Sequence, residues 1–122
     1  FKSHRNGIAD GGQLRDFVYV RDVAEVVAWL ADNPQVNGVY NLGSGEARTF
    51  ADMAKAVFAA AGKAPDIDYI PLPLEMRDRY QYFTQAEMTR LRQAGYERPF
   101  TSLEAGIEDY VRNYLAQPDP YL

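Results

Sequence analysis

Apolar residues along the chain fall into two kinds of pattern, one typical of strands and one typical of helices. Residues 17–20 are continuously apolar, β-branched or aromatic, as expected for a strand covered on both faces. Residues 38–42 form a second short segment rich in strand-favouring residues, and residues 67–70 alternate apolar and polar positions. The pattern therefore predicts three strands.

Helical periodicity follows the first two predicted strands and returns twice near the end of the chain. After residues 17–20, Val23, Val26, Val27 and Leu30 recur at the spacing of one helix face. Four helix starts carry related capping sequences, at residues 22–25, 49–52, 84–87 and 101–104. Pro34 is expected to end the first helix and Gly62 the second.

This order of elements predicts an α/β fold with a short, partly parallel sheet, right-handed crossovers and about four helices. We expect one unit over residues 1–122, with a flexible first segment (1–13), an α/β core (14–116) and a tail (117–122). The chain opens on Phe1 instead of methionine. We therefore expect it to be part of a longer protein and to pack on a larger neighbour.

Composition excludes several classes of function. The chain has no cysteine and one histidine, His4, so neither a thiolate site nor a histidine-based metal centre is expected. A net charge of −4 without a basic run argues against nucleic acid as a partner. No apolar run approaches the length of a bilayer span. We predict a cytoplasmic protein that binds no metal, no nucleic acid and no membrane.

The glycine-containing loop at residues 43–45 lies between a predicted strand and a predicted helix, where dinucleotide-binding proteins carry a phosphate loop. Arg48 occupies the position of the third glycine in that motif, and the loop is longer than the motif's tight turn. The sequence favours a structural turn here, with ligand contact as the alternative.

Two regions could bind an anionic ligand. Arg15 precedes a predicted buried strand and could grip phosphate oxygens, or it could form an ion pair with Asp16 or Asp22. Residues 77–83 combine two arginines with three aromatic rings, which suits a loop over an anionic ligand that contains a ring. The alternative is that these aromatic side chains fill the edge of the core.

A third, smaller cluster lies at the beginning of the chain. Lys2, His4 and Arg5 are possible phosphate donors with Ser3 as a hydroxyl contact, although terminal residues are commonly just solvated. Catalytic arrangements are absent: no tyrosine is followed by lysine four residues later, and a Ser-His-Asp or Cys-His set cannot be assembled readily. We therefore predict no catalytic residue in this chain.

Several motifs resemble the extended short-chain dehydrogenase/reductases that act on nucleotide sugars. Residues 15–20 (RDFVYV), followed by Asp22-Val23, and residues 38–45 (GVYNLGSG) resemble the C-terminal half of these epimerases and dehydratases. Residues 79–88 (RYQYFTQAEM), 91–96 (LRQAGY) and 98–100 (RPF) are more specific and resemble the branch that epimerises ADP-heptoses. The resemblance covers nearly the whole chain.

The resemblance implies the substrate-binding part of an NADP-dependent epimerase. Such an enzyme inverts C6″ of ADP-D-glycero-D-manno-heptose through a transient 6″-ketone, in the synthesis of lipopolysaccharide core precursors. It also implies that a Rossmann domain holding NADP and the catalytic tyrosine and lysine lies upstream, and that the enzyme is a homo-oligomer. Substrate contacts carried over to this chain are Arg15, Tyr80, Phe1, Lys2, Ser3 and His4.

Two alternatives remain at this stage. One is another nucleotide-sugar enzyme, such as a UDP-hexose 4-epimerase or a dehydratase, and the other is a noncatalytic α/β interaction module. The chain also departs from some members of the family by a longer polar stretch from Arg5 to Gln13. Equivalence with the family is therefore safer at Arg15 and Tyr80 than at Ser3 and His4.

Overall fold

A computed structural model describes residues 1–119 and contains a two-stranded sheet and four α-helices. The strands are β1 (Leu14–Asp16) and β2 (Ala47–Thr49). The helices are α1 (Val20–Asp32), α2 (Phe50–Ala60), α3 (Thr89–Gln93) and α4 (Leu103–Tyr110). A 3₁₀ turn covers Leu74–Met76, and a π-helical turn at Val111–Leu115 continues α4. The predicted α/β composition and the number of helices agree with these elements.

The sheet differs from the prediction, because its two strands are antiparallel. Arg15 lies opposite Arg48, and Leu14 lies opposite Thr49. Among the described residues, none of the three predicted strand segments (17–20, 38–42 and 67–70) forms a strand, so the expected partly parallel sheet is not present. The predicted tail covers residues 117–122, and its last three residues, 120–122, lie outside the described part of the chain.

The missing strands have identifiable physical reasons. Helix α1 begins at Val20, and the Tyr19 carbonyl is already accepting from the first helical amides, at 3.1 and 3.3 Å. Within residues 1–119, the backbone of residues 38–42 finds no hydrogen-bonding partner, although Tyr40 and Leu42 pack against the core and Val39 is 81% exposed. A strand-like sequence forms a strand only when a neighbouring chain segment completes the ladder.

One of the four predicted helix caps forms as expected, and a second forms one residue later than the predicted start at Thr101. At α2, the Thr49 hydroxyl accepts from the Asp52 amide, and the Asp52 carboxylate accepts from the Thr49 amide. At α4, the Ser102 hydroxyl accepts from the Ala105 amide. These caps satisfy amides that have no partner inside the helix.

The other two predicted caps are wrong, because their acidic residues have other partners. Asp22 is buried inside α1, and its carboxylate accepts from the amide and the hydroxyl of Thr101, both at 2.7 Å. Glu87 accepts from the amide and the hydroxyl of Thr89, and helix α3 begins only at that residue. Tertiary contacts to Thr101 thus replace the local cap at residues 22–25.

The main core joins α1 to α3. Its buried members are Val26, Met88, Leu91 and Tyr96, with Trp29 and Phe100 packed against them. Helix α2 packs separately against α4. Beside α4 lies an open apolar groove of about 510 Å³ that is bordered by exposed apolar side chains, among them Val20 and Leu115. No helix among residues 1–119 has both the length and the apolar character needed to cross a bilayer.

The Asp16 carboxylate joins three separate parts of the chain. It accepts hydrogen bonds from the amides of Ser44, Gly45 and Ala86 at 2.6, 2.9 and 3.0 Å, and from the Ser44 hydroxyl at 2.6 Å. Burial raises the pKa of Asp16, but these hydrogen bonds outweigh burial and leave the pKa below its usual value. The end of β1 is therefore fixed to the loop at residues 43–45 and to the segment before α3.

Tyr19 makes a comparable connection to α4. Its hydroxyl donates to the Asp109 carboxylate, and its ring lies against Gly106, where an added Cβ would come within 3.2 Å of the ring. Burial, together with the hydrogen bond to Asp109, raises the pKa of Tyr19 to about 12. The neutral hydroxyl thus holds the residues before α1 on α4.

We predict that Asp16→Asn lowers the free energy of unfolding by at least about 2 kcal/mol at pH 7, because an amide cannot accept from all four donors. Urea unfolding measures the change. Asp32→Asn, an exposed change in the last turn of α1, should alter stability by less than about 0.5 kcal/mol.

The effect of Asp16→Asn should also depend on pH. A carboxylate whose pKa is depressed by folding stabilises above its unfolded pKa, near 3.8, and loses that contribution as the pH falls through the folded value. The stability difference between the two proteins should therefore shrink below pH 3.8. A difference that stays constant down to pH 2 contradicts the role given to the Asp16 charge.

We predict that Tyr19→Phe destabilises the protein by about 1 kcal/mol at pH 8 through loss of the hydrogen bond to Asp109. Because folding raises the pKa of Tyr19, its contribution is complete below the unfolded pKa of 10 and is lost as the pH rises towards about 12. Unfolding measured at pH 8 and pH 11 should show the difference between wild type and variant diminishing. Tyr110→Phe, whose hydroxyl makes no hydrogen bond to any described residue, is the matched control and should change little at either pH.

Candidate functional site

Arg15, the middle residue of strand β1, lies against the aromatic rings of Tyr80 and Phe50. The Arg15 Cζ lies 5.3 Å from the centre of the Tyr80 ring and 5.7 Å from that of Phe50. Its Nη1 donates to the Leu14 carbonyl at 2.7 Å. These contacts hold the guanidinium in one orientation by cation–π attraction and a backbone hydrogen bond.

Arg15 makes no ion pair with any residue in the described part of the chain. Both carboxylates considered as partners are engaged elsewhere, Asp16 with the amides that it binds and Asp22 with Thr101. The alternative that Arg15 serves an ion pair with Asp16 or Asp22 is therefore not realised. Its positive charge remains available to an anionic ligand.

The aromatic segment at residues 77–83 runs alongside β1. The Leu14 amide donates to the Tyr82 carbonyl at 2.9 Å, and the Thr84 amide donates to the Leu14 carbonyl at 3.2 Å. Tyr82 is buried, whereas Tyr80 packs edge-on against it and faces Arg15. Tyr82 thus fills the edge of the core, as the alternative interpretation expected, whereas Tyr80 lies beside Arg15 and its contact with a ligand stays a prediction.

The first residues of the chain lie beside this pair. Phe1 meets Tyr80 edge-on, with ring centres 6.0 Å apart. The amides of Lys2, Ser3 and His4 donate to the Ile70 carbonyl, the Asp10 carboxylate and the Tyr82 hydroxyl, respectively.

Of the six residues expected to bind substrate, the structure brings three together, with Tyr80 in contact with both Arg15 and Phe1. Arg15, Tyr80 and Phe1 form one cluster. The side chains of Lys2, Ser3 and His4 form no hydrogen bond or ring contact with Arg15 or Tyr80. Lys2, Ser3 and His4 lie near the cluster because they follow Phe1 in the chain, and their backbone amides are held by other residues.

An open groove of about 380 Å³ adjoins the cluster. Its lining includes two of the cluster residues and four others: Arg15, Tyr80, Glu75, Met76, Arg79 and Gln81. Arg79 supplies a second guanidinium at this groove, whereas the Arg77 Nε donates to the Leu72 carbonyl at 3.1 Å and supports the loop. The groove combines cationic and aromatic groups suited to a phosphate-bearing ligand with a ring.

Sequence reasoning missed the contribution of Phe50. Its ring contacts both Arg15 and Phe17, and its amide donates to the Gln13 carbonyl at 3.2 Å. The antiparallel pairing of β1 with β2 brings Phe50 there, because it directly follows Thr49, the partner of Leu14. A parallel sheet, as the periodicity suggested, would not have placed these segments together.

The loop at residues 43–45 does not fit a dinucleotide. Its Ser44 and Gly45 amides, the groups that would face a phosphate, donate to the Asp16 carboxylate. A Cβ at Gly43 would lie 2.5 Å from an Asp16 carboxylate oxygen and from the Ala86 Cβ. Glycine is required for this close packing, which supports the interpretation of a structural turn.

In the part of the chain that the structure describes, no three histidine or acidic side chains come together in a way that could hold a metal ion.

Comparisons with known proteins agree with the resemblance that the motifs carry. The sequence model of the NAD dependent epimerase/dehydratase family matches residues 5–43. An ADP-L-glycero-D-manno-heptose-6-epimerase of Nitratidesulfovibrio vulgaris (strain DP4) is 52% identical over 122 residues, which is 100% of this chain and 38% of that protein.

Two further proteins with the same name are similar. That of Fusobacterium nucleatum is 44% identical over 128 residues, covering 100% of this chain and 39% of its own length. That of Alkalilimnicola ehrlichii is 46% identical over 106 residues, 87% of this chain and 33% of its own. This chain is homologous to ADP-heptose 6-epimerases. It spans between a third and two fifths of the length of these relatives.

The similarity to heptose epimerases covers the whole candidate site. Phe1, Arg15 and Tyr80 all lie within the span that is 52% identical to the Nitratidesulfovibrio vulgaris protein. The chain's own geometry adds Phe50, whose ring lies against Arg15, and Arg79, which lines the same groove.

Proposed function

We propose that this chain is the C-terminal, substrate-binding part of an ADP-glyceromanno-heptose 6-epimerase. The complete enzyme would invert C6″ of ADP-D-glycero-D-manno-heptose through a transient 6″-ketone, supplying a precursor of the lipopolysaccharide core. One observation carries the proposal: Arg15, free of any carboxylate partner in the described residues, lies between two aromatic rings at a groove. Homology along the whole chain supports it.

The residues of this chain bind and orient the nucleotide end of the substrate. Arg15 donates N–H groups to oxygens of the diphosphate, an interaction that guanidinium geometry favours. Tyr80 offers a ring face and a hydroxyl beside it. Phe1, Lys2, Ser3 and His4 line the nucleotide side, with Phe1 in contact with Tyr80.

The redox chemistry belongs to the remainder of the protein. A nicotinamide cofactor, NADP in this proposal, supplies hydride removal and return at C6″ and is held by a Rossmann domain outside this sequence. The loop at residues 43–45 does not serve it, because its amides are engaged by Asp16. Catalytic tyrosine and lysine residues also lie in that domain, in keeping with the two fifths of the relatives' length covered here.

The apolar groove beside α4 is the surface that we assign to the remainder of the protein. Its exposed apolar side chains include Val20, Tyr110 and Leu115, which are 66%, 47% and 54% exposed. A contiguous apolar surface of this kind is typical of a contact with another polypeptide segment. We also propose that the complete enzyme is a cytoplasmic homo-oligomer.

We predict that Arg15→Ala weakens the binding of ADP-heptose to the complete enzyme by roughly ten- to a hundredfold. A hydrogen bond between charged groups contributes about 1.5–3 kcal/mol, which corresponds to this change in affinity. Isothermal titration calorimetry measures it. Arg90→Ala is the matched control, because Arg90 lies over the ring of Tyr40 on the exposed side of α3, away from the groove.

Unchanged affinity in Arg15→Ala would contradict the assignment of Arg15 to the diphosphate. If the wild-type enzyme prefers UDP-sugars to ADP-sugars, the enzyme is instead a different nucleotide-sugar epimerase. If it binds neither class of nucleotide sugar, the proposed function is wrong and a noncatalytic interaction module becomes the better explanation.

A further inference from the structure

Gln13 is a fully buried polar residue next to the candidate site. It is 0% exposed, and its Nε2 donates to the carbonyls of Phe1 and Lys2 at 3.3 and 3.4 Å. Its Oε1 is buried and has no hydrogen-bonding partner among the described residues. A buried amide with one unpaired oxygen costs stability relative to an apolar side chain of similar size. Stability alone therefore does not explain a glutamine at this position.

The two bonds of Gln13 restrain the beginning of the chain. The carbonyls of Phe1 and Lys2 both accept from Gln13, and the Phe1 carbonyl also accepts from the Gly11 amide at 2.9 Å. The Lys2 amide donates to the Ile70 carbonyl. The backbone of Phe1 and Lys2 is therefore held by hydrogen bonds to both its carbonyls and its amide, while the Phe1 ring packs against Tyr80.

Tyr82 restrains the other end of the same segment. Its hydroxyl accepts from the His4 amide at 2.8 Å, and the Arg5 guanidinium lies over its ring at 4.3 Å. Although burial acts in the opposite direction, the hydrogen bond from the His4 amide lowers the pKa of Tyr82. The ring is only 6% exposed, so Tyr82 does not reach a ligand itself.

The positions of these two side chains connect them to the ligand-binding groups. Gln13 precedes Arg15 by two residues, and Tyr82 follows Tyr80 by two residues. The Leu14 amide donates to the Tyr82 carbonyl, so both segments are fixed to each other. Residues 1–4 are thus attached to the same two backbone segments that present Arg15 and Tyr80.

We infer that Gln13 and Tyr82 are positioning residues that hold residues 1–4 beside Arg15 and Tyr80 and thereby set affinity for the nucleotide end of the substrate. The inference rests on the proposed function, because it assumes that this cluster binds ADP-heptose. A preorganised segment binds more tightly, since less conformational freedom is lost when the ligand arrives. Neither residue touches the ligand.

The test uses the complete enzyme and three variants. Gln13→Met keeps the side-chain length and removes both donated hydrogen bonds. Gln13→Glu keeps the shape but places a carboxylate against two carbonyl oxygens. Tyr82→Phe retains the buried ring and removes the acceptor of the His4 amide. Gln93→Met, on the exposed surface of α3, is the matched control.

We expect each of the three variants to raise the dissociation constant for ADP and the KM for ADP-heptose about five- to tenfold. The kcat value should stay within about twofold of wild type, and the affinity for NADP should not change, because the reacting atoms and the cofactor lie elsewhere. The Gln93→Met control should match wild type in all four measurements.

Two results would overturn the inference. One is a wild-type dissociation constant and KM in Gln13→Met and Tyr82→Phe. The other is a lower kcat and a lower Tm at unchanged KM, which would indicate a merely structural role. Gln13→Glu carries the greatest risk of misfolding, and the other two variants decide the matter without it. If wild type itself binds neither ADP nor ADP-heptose, the proposed function fails, and that outcome is distinct from both.

Discussion

The carboxylate of Asp16 is the constraint on which the rest of the structure depends. Four donors from two distant segments converge on one charged group at the end of β1. A two-stranded sheet provides few backbone hydrogen bonds between distant segments. The Asp16 carboxylate instead connects the loop at residues 43–45 and the segment before α3 to β1. Arg15 gains a fixed backbone position because its immediate neighbour is anchored in this way.

The sequence predicted best those features that depend on neighbouring residues. The capping box at Thr49 and Asp52 forms as expected, and the cap of α4 forms at Ser102, one residue after the predicted start, because such hydrogen bonds span only three residues. The Asp22 cap failed because Thr101, which is 79 positions further along the chain, offers two donors to the same carboxylate. A window of a few residues contains no information on such a partner.

The strands show the same limit more clearly. Residues 38–42 have the composition of a strand, and residues 39–42 alternate exposed with partly buried side chains, yet no described segment completes a ladder with them. For the candidate site, the motifs led to Arg15, Tyr80 and Phe1, which do meet in space. Phe50 could not be inferred, because its place depends on an antiparallel register that periodicity does not encode.

The hydrogen-bonding capacity of Arg15 limits which anion it can hold fully. A guanidinium carries five N–H groups, and the Leu14 carbonyl takes one of them. Four donors remain in a plane that is fixed by the rings of Tyr80 and Phe50. A single carboxylate offers only two oxygens, so part of the plane would still face water, whereas two linked phosphates can engage both of its edges. In the proposed complex with a nucleotide diphosphate, the donors of Arg15 would match the number of phosphate oxygens as well as their charge.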